Sequence, residues 1–319
     1  MSLPDLAPAV ETVVRRCLGV RRGEGVVVVV DAGTREIGEA LRAEASRAGA
    51  EAVLCLMDAR EADGNEPPAA VAAALRAADV FIAPTTKSLS HTRARKAASD
   101  AGARGATLPG VTADLLARLM ACDLAAVQRR SRAVAELLTQ AQDAHLTCPR
   151  GSDLRLDLTG RKGIPDDGDL TASSAFGNLP CGEGFVAPRG GEGRLFVSSL
   201  AGIGLVAAGP AELVVRDGRL ADAQGPEGEA LLAALQGADA RLGTNLAELG
   251  IGTNERATLT GNVLEDEKML GTLHVAFGAS AGIGGAVSVP IHLDSVVLEP
   301  TLDIGATRVL EAGELVLEA

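Results

Sequence analysis

Two histidines and an aspartate near the end of the chain have the residue types and the spacing of metal ligands. His274 lies in the segment Gly271–Gly278, and His292 stands two positions before Asp294. Residues i and i+2 of a strand project from the same face, whereas in a helix they diverge. Two imidazoles and a carboxylate that converge between neighbouring strands could hold a divalent metal ion. Each histidine could equally be a hydrogen-bonded core residue, and the spacing alone leaves that alternative open.

Two predicted strands would position these residues. The segment 287–298 is rich in β-branched and aliphatic residues, which is typical of a strand. The segment 271–278 alternates between apolar residues and small or polar ones. Its apolar face would consist of Leu273, Val275 and Phe277. The opposite face carries His274 among small residues, which leaves room beside the imidazole for a ligand.

Two further carboxylates stand in unusual surroundings. Glu183 lies between two glycines just before an extended segment, and Glu248 interrupts an apolar, glycine-punctuated run. A carboxylate in such a run has to be paired, hydrogen-bonded or metal-bound, because burying an isolated charge is costly. Ordinary turn formation explains the glycines around Glu183 equally well. The acidic segment Glu265–Lys268, which ends in a lysine, also stands out, and an exposed helical turn is the alternative interpretation.

Length, charge and cysteine content limit the class of protein. A chain of 319 residues favours two domains. The net charge of −12 argues against nucleic acid and anionic membranes as partners. Five scattered cysteines without a CxxC pair are typical of reduced thiols. With no basic segment followed by an apolar run at the N-terminus and no apolar stretch of membrane-spanning length, we expect a cytoplasmic protein.

The pattern of apolar and polar residues changes near residue 148. Before it, short apolar runs alternate with amphipathic segments, which predicts an α/β domain over residues 1–148 with a mostly parallel sheet. After it, short strands with glycine, aspartate and asparagine turns predict a β-rich α+β metal-binding domain over residues 149–319. The strand ends of the first domain carry polar residues that would serve as pocket residues or, more often, as helix caps: Asp31, Asp58 and Thr85-Thr86. No glycine-rich phosphate-binding motif occurs, so no nucleotide cofactor is expected.

Several motifs of the second half follow one another in a specific order. They are Asn178-Leu-Pro-Cys-Gly-Glu183-Gly-Phe-Val-Ala-Pro188, the run around Glu248, Asn262-Val-Leu-Glu-Asp-Glu-Lys268, Gly271-Thr-Leu-His274 and His292-Leu-Asp294. In this order the motifs resemble those of the aminopeptidase T / aminopeptidase S family of metallopeptidases. The resemblance covers residues 178–294, and the first half is compatible with that family's N-terminal domain.

The resemblance implies a metal-dependent aminopeptidase that releases N-terminal residues from short peptides. It implies two divalent metal ions per chain, zinc or cobalt, in the cavity of a homodimer. The implied metal ligands are Glu183, Glu248, His274, His292 and Asp294. Such a site polarises the scissile carbonyl and activates a bridging water. Glu183 would be the catalytic general base.

Two departures from that family keep other functions open. Gly182 stands where family members often have a second glutamate, and the chain contains no tyrosine, whereas the family uses one shortly after the Gly-Thr-x-His motif. Some relatives of these peptidases are ring-cleaving dioxygenases for dihydroxypyridines that bind a single Fe(II). In that case His274, His292 and Asp294 would be the three ligands. A third hypothesis is a metal-binding homologue without catalytic activity.

Overall fold

The computed structural model describes residues 4–207 and 209–317. Residues 1–3, on which the expectation about the N-terminus partly rests, and residues 318–319 at the end of the second predicted domain lie outside the described residues. The strands are Gly25–Val30 (β1), Glu51–Leu56 (β2), Val80–Ala83 (β3), Arg104–Thr107 (β4), Asp143–Thr147 (β5), Asp153–Asp157 (β6), Ile164–Asp166 (β7), Phe176–Asn178 (β8), Glu183–Val186 (β9), Gly190–Val197 (β10), Ser199–Leu200 (β11), Gly204–Leu205 (β12), Ala211–Arg216 (β13), Arg219–Gln224 (β14), Leu246–Gly252 (β15), Leu273–Gly278 (β16), His292–Val297 (β17), Thr301–Ile304 (β18), Thr307–Glu311 (β19) and Glu314–Leu315 (β20).

The helices are fewer and lie mainly in the first half of the chain. They are Ala7–Glu11 (α1), Arg35–Arg47 (α2), Ala69–Ala77 (α3), Arg93–Asp100 (α4), Ala113–Leu119 (α5), Leu124–Gln140 (α6), Pro226–Ala238 (α7) and Val263–Asp266 (α8), with a π-helix at Thr12–Cys17 and a 3-10 turn at Ala281–Ile283. No helix in the described part of the chain is long and apolar enough to cross a membrane.

Unit 1 comprises the described residues up to Leu124 together with Gly168–Cys181. Its sheet has the strand order β2-β1-β3-β4-β8, and every neighbouring pair is parallel. In β1 five consecutive valines are buried. A strand that is buried on both faces is typical of a parallel sheet covered by helices. The predicted α/β fold with a mostly parallel sheet is therefore confirmed.

Unit 2 comprises Ala125–Asp167 and Gly182–Ala319. It contains an eight-stranded sheet, β14-β13-β10-β6-β5-β18-β19-β20, and a seven-stranded sheet, β12-β11-β17-β16-β15-β9-β7. Buried leucines of the first sheet, such as Leu154 and Leu195, belong to the same apolar core as Leu249 and Phe277 of the second. The predicted β-rich second part is thus confirmed, and one face of the seven-stranded sheet packs into this core.

The division into units differs from the predicted 1–148 and 149–319 in two places. Helix α6 belongs almost entirely to unit 2, because it buries Val134 and Leu138 in the same core as Ala144 and Leu146 of β5. Residues 168–181 return to unit 1, since β8 forms hydrogen bonds with β4 at the edge of the parallel sheet. Both assignments depend on pairing between segments that are distant in sequence.

The strand predicted over residues 287–298 is shorter in the structure and begins at His292. The backbone nitrogens of Ser280 and Ala281 donate hydrogen bonds to the carbonyl of Val287, which holds the preceding segment in a loop. The predicted homodimer and cytoplasmic location stay predictions.

Candidate metal centre

Four neighbouring strands of the seven-stranded sheet carry the predicted ligands. Strand β16 pairs with β17 on one side and with β15 on the other, and β9 follows β15. All three pairs of neighbours are antiparallel, so side chains of one face stand opposite one another. The registers place small residues opposite large polar ones: Gly250 opposite His274, Ala276 opposite Asp294 and Gly278 opposite His292.

The alternation predicted for Gly271–Gly278 is confirmed. Leu273, Val275 and Phe277 are fully buried in the core of unit 2, and His274 projects from the other face. Since the side-chain period of a strand is two residues, the apolar contacts of β16 determine on which face His274 lies. The same register brings a glutamate of β15 to the histidine of β16.

All five predicted ligands come together in one group, here called the ligand cluster: Glu183, Glu248, His274, His292 and Asp294. Nε2 of His274 lies 3.3 Å from Oε2 of Glu183 and 3.4 Å from Oε1 of Glu248. Nε2 of His292 lies 3.2 Å from Oε2 of Glu248 and 3.5 Å from Oδ1 of Asp294. Glu248 therefore touches both imidazoles, and the ligand atoms form two trios that share it.

The two imidazoles are oriented differently. Nδ1 of His292 lies 2.7 Å from the carbonyl oxygen of Ala279, to which it donates a hydrogen bond, so Nε2 faces the carboxylates. Metal-bound histidines usually have such a second partner, which fixes the tautomer and the ring orientation. Nδ1 of His274 is buried and has no hydrogen-bond partner among the described residues.

The electrostatics of the ligand cluster couple carboxylates to imidazoles. Burial lowers the pKa of His274, but the hydrogen bond to Glu248 and the charge of Glu183 outweigh it and raise that pKa to about 9. Burial raises the pKa of Glu248, but the hydrogen bonds from both histidines bring it well below its usual value. Burial lowers the pKa of His292, but the charge of Asp294 and the hydrogen bonds to Asp294 and Glu248 outweigh it and raise that pKa well above its usual value. The ligand cluster therefore favours protonated imidazoles in the metal-free protein. A metal ion that binds their Nε2 atoms has to displace these protons.

The acidic segment Glu265–Lys268 is buried, which excludes the alternative of an exposed helical turn. Lys268 is 0% exposed and Asp266 is 0% exposed. The Asp266 carboxylate accepts hydrogen bonds from the hydroxyl of Ser199 and from the backbone nitrogens of Thr260 and Gly261. These bonds attach the segment to its neighbours and turn it inward.

Lys268 lies among three carboxylates in what we call the Lys268 cluster: Asp166, Glu183, Glu267 and Lys268. Its Nζ lies 2.5 Å from Oε1 of Glu267, 3.0 Å from Oε1 of Glu183 and 3.6 Å from Oδ2 of Asp166. Burial raises the pKa of Glu183 to about 8, although Lys268 acts in the opposite direction. Burial likewise raises the pKa of Asp166 to about 7.

Sequence reasoning missed the part that Lys268 and Asp166 play. The signal for Lys268 was its place in the Asp-Glu-Lys motif, whereas nothing around Asp166 distinguishes it from a surface residue. Glu183 belongs to both clusters: one carboxylate oxygen faces Lys268 and the other faces His274.

The donor set fits a divalent cation. Two imidazoles and several carboxylates are ligands of zinc, cobalt and iron alike. Oε2 of Glu183 and Oδ2 of Asp166 are buried without a hydrogen-bond partner in the described part of the chain, which a cation or its bound water would remedy. His274, His292, Glu248 and Asp294 offer the remaining ligand atoms.

The polar residues at the strand ends of unit 1 do not form a comparable group. The Asp31 carboxylate accepts hydrogen bonds from the backbone nitrogens of Gly33 and Thr86 and from the Thr86 hydroxyl, and so joins the ends of β1 and β3. The Thr85 hydroxyl donates to the carbonyl of Lys87, and Asp58 is exposed. Asp31 and Thr85 thus make local bonds, although neither caps a helix.

Comparisons with known proteins point to two kinds of enzyme. The family model of 2,5-dihydroxypyridine 5,6-dioxygenase matches residues 5–317. A solved structure of 2,5-dihydroxypyridine dioxygenase from Pseudomonas putida is similar with a TM-score of 0.86 at 21% identity, covering 100% of this chain and 99% of that one. Wild-type AmpT from Thermus thermophilus is similar with a TM-score of 0.71 at 21% identity, covering 98% and 99%. At these identities the likeness shows the fold alone. No curated protein sequence matches.

Proposed function

The chain belongs to the 2,5-dihydroxypyridine 5,6-dioxygenase family, and we propose that it inserts dioxygen into a hydroxylated pyridine and opens the ring. The observation that carries the proposal is that His274, His292 and Asp294 lie on the adjacent, paired strands β16 and β17, where Glu248 contacts both histidines. Two histidines and one carboxylate with open positions are the donor set of non-heme Fe(II) oxygenases. We propose 2,5-dihydroxypyridine as the substrate.

His274 and His292 would bind the metal through Nε2 and Asp294 through its carboxylate. A bound Fe(II) supplies the one-electron chemistry that lets dioxygen react with an aromatic ring. The protein orients one of these ligands through the hydrogen bond from His292 Nδ1 to the Ala279 carbonyl. In the metal-free protein Glu248 lies 3.4 Å from Nε2 of His274 and 3.2 Å from Nε2 of His292, so it holds the two ligand nitrogens close together before a metal displaces their protons.

Glu183 is the residue that we propose as proton acceptor for a ring hydroxyl. Its Oε2 is buried and makes no hydrogen bond within the described residues, while Lys268 binds its Oε1. A nearby divalent cation lowers the pKa of a carboxylic acid. The metal-loaded site would therefore hold Glu183 as a carboxylate, with Oε2 available to the substrate.

A second candidate function is the release of N-terminal residues from peptides at a two-metal site. The observation in its favour is the second ligand trio, Glu183, Glu248 and His274, which shares Glu248 with the first. Two ions bridged by one carboxylate are typical of hydrolytic two-metal sites. Family membership favours the dioxygenase, as does the absence of tyrosine from the sequence.

Reconstitution under anaerobic conditions tests the two candidates together. Protein loaded with Fe(II) should consume dioxygen when 2,5-dihydroxypyridine is added, with loss of the ring absorbance. With labelled dioxygen, mass spectrometry should find both oxygen atoms in the product. Protein loaded with zinc or cobalt should leave leucyl peptides intact. Peptide hydrolysis with two ions per chain, together with no dioxygen uptake by the iron form, would replace the proposed function by the second candidate.

A further inference from the structure

In the described part of the chain, the His274 imidazole has no orienting hydrogen bond at Nδ1, the nitrogen that faces away from the carboxylates. The other histidine of the cluster, His292, has the Ala279 carbonyl as the partner of its Nδ1. Nδ1 of His274 has no such partner within the described residues, although the side chain is only 1% exposed. Once a metal has replaced the contact of Nε2 with Glu248, the ring has to be held by packing.

The packing surface is the backbone of Gly250. This glycine stands directly opposite His274 in the β15–β16 pair. A Cβ atom at Gly250 would lie 2.1 Å from Cε1 and 2.1 Å from Nε2 of His274, and 3.0 Å from Cδ2. The three nearest atoms all belong to the imidazole, so the edge of the ring that bears Nε2 lies against the glycine. An alanine would occupy the space of that edge.

Gly250 is required for space and not for backbone conformation. Its φ is not among the positive values that some other glycines of the chain adopt. An alanine could therefore take the same backbone conformation within strand β15. Gly252, two residues further along the strand, differs in this respect: a Cβ there would lie 2.1 Å from the backbone oxygen of Met269. The same substitution thus meets a side chain at one position and the main chain at the other.

We infer that Gly250 is a positioning residue of the metal centre, which orients His274 by leaving room for its imidazole against strand β15. The inference rests on the proposed function in one respect, namely that His274 is a metal ligand. With a methyl group at position 250 the imidazole has to turn away, and Nε2 leaves its place between Glu183 and Glu248. Gly250 has no side chain that could bind a substrate or a metal, so it acts only through His274.

A double-mutant cycle tests this role with cobalt(II) alone as the probe. Wild type, Gly250→Ala, His274→Ala and the double variant are titrated with cobalt(II) against a competing chelator, and their visible cobalt spectra are recorded. Gly250→Ala should lower cobalt affinity by about 10–100-fold, as loss of an orienting contact does, and should change the ligand-field bands. In the His274→Ala background the same substitution should change affinity by less than about twofold, because no imidazole remains to be displaced.

Stability measurements supply the control. Gly252→Ala should destabilise the protein whether or not His274 is present, since it meets the backbone of Met269. If Gly250→Ala does not fold, the double variant decides: recovery of folding when His274 is replaced supports the inference, and continued failure overturns it. Wild-type cobalt affinity and an unchanged spectrum in Gly250→Ala would also overturn it, as would equal losses of affinity in both backgrounds. If the wild type binds no metal, the proposed function fails as well. If the wild type binds metal and Gly250→Ala binds it equally well, only the inference about Gly250 fails.

Discussion

Arg104 in unit 1 and Lys268 in unit 2 are both buried cations, but they differ in the number of carboxylates that surround them. The Arg104 guanidinium donates to both carboxylate oxygens of Glu24, at 3.0 and 2.7 Å, and to the carbonyls of Leu18 and Gly19. One cation thus faces one carboxylate. Around Lys268 and the two histidines, by contrast, the described residues place five carboxylates: Asp166, Glu183, Glu248, Glu267 and Asp294.

The difference shows which buried charges indicate a function. The Arg104 pair fastens the segment before β1 to β4, and its hydrogen bonds account for both carboxylate oxygens of Glu24. In unit 2 the described residues leave Oε2 of Glu183 and Oδ2 of Asp166 without a hydrogen-bond partner. Each of these oxygens has a basic group nearby, His274 Nε2 at 3.3 Å and Lys268 Nζ at 3.6 Å, but burial of a carboxylate oxygen without a hydrogen bond remains costly. An excess of carboxylates over partners, and not burial alone, therefore marks the metal centre.

The largest expected effect is the loss of metal from a ligand variant. His292→Ala or Asp294→Ala should reduce the metal content of the reconstituted protein from stoichiometric to background, because each removes a ligand atom that no neighbour can replace. Elemental analysis after gel filtration measures this. His145→Ala is the matched control: His145 lies in the same unit but pairs with Asp153 at the surface, 2.8 Å away. Full metal content in either ligand variant would contradict the proposed site.

Replacing each buried cation should lower the free energy of unfolding by a different amount. Lys268→Met leaves Glu183 and Glu267 buried without their counter-ion, so the free energy of unfolding should fall by about 3–5 kcal/mol. Arg104→Met should cost less, about 2–3 kcal/mol, because the side chain of Glu24 is 18% exposed and can regain water. Urea unfolding followed by circular dichroism compares the variants, since the chain has no tryptophan. An equal or larger loss of unfolding free energy in Arg104→Met would contradict this difference between the two buried cations.

Metal binding should stabilise unit 2 selectively. At a free metal concentration of roughly 100 times Kd, a ligand that binds only the folded state adds about 2.7 kcal/mol. Hydrogen exchange should therefore slow in strands β15, β16 and β17, whereas β1 and β3 should exchange as in the metal-free protein. His292→Ala should show no such change on metal addition. Equal slowing in both units would mean that the stabilisation is not local to the ligand cluster.

The smallest expected effect is the loss, at acidic pH, of the stabilisation that the Glu24–Arg104 ion pair contributes. Burial raises the pKa of Glu24, but the hydrogen bonds from Arg104 and from the backbone nitrogen of Arg21 outweigh it, so its pKa is lower than usual. The stabilisation is therefore complete above the unfolded pKa of about 4.3 and is lost as the pH falls through the lower, folded pKa. Unfolding of the wild type and of Glu24→Gln at a series of pH values should show the difference between them shrinking below about pH 4. A constant difference would contradict the assigned pKa.

Much of the metal centre could be predicted from the sequence because it depends on strand periodicity. The alternation of Leu273, Val275 and Phe277 requires that His274 project from the opposite face of β16. The spacing of His292 and Asp294 has the same consequence for β17. Glu248 stood out because a charge in an apolar run needs a partner, whereas Glu183 was assigned as a ligand through the resemblance of the ordered motifs. The inferences about the strands and Glu248 use only neighbours within a few residues.

The remaining features depend on contacts between segments that are distant in the chain. The return of residues 168–181 to unit 1 follows from the pairing of β8 with β4, which no local pattern reveals. The local sequence of the segment that ends at Lys268 is compatible with a surface turn. Its burial depends on contacts with Asp166 and Glu183, which are distant in the chain.

By itself, the sequence determined the two kinds of fold and the five candidate ligands, since residue type and the two-residue period of strands are local properties. Only the tertiary structure decided how these ligands are held. The register of β15 against β16 brings Gly250 against the edge of the His274 ring that bears Nε2. The loop before β17 brings the Ala279 carbonyl to His292. Register and loop path result from the packing of the whole unit, and therefore no short segment encodes them.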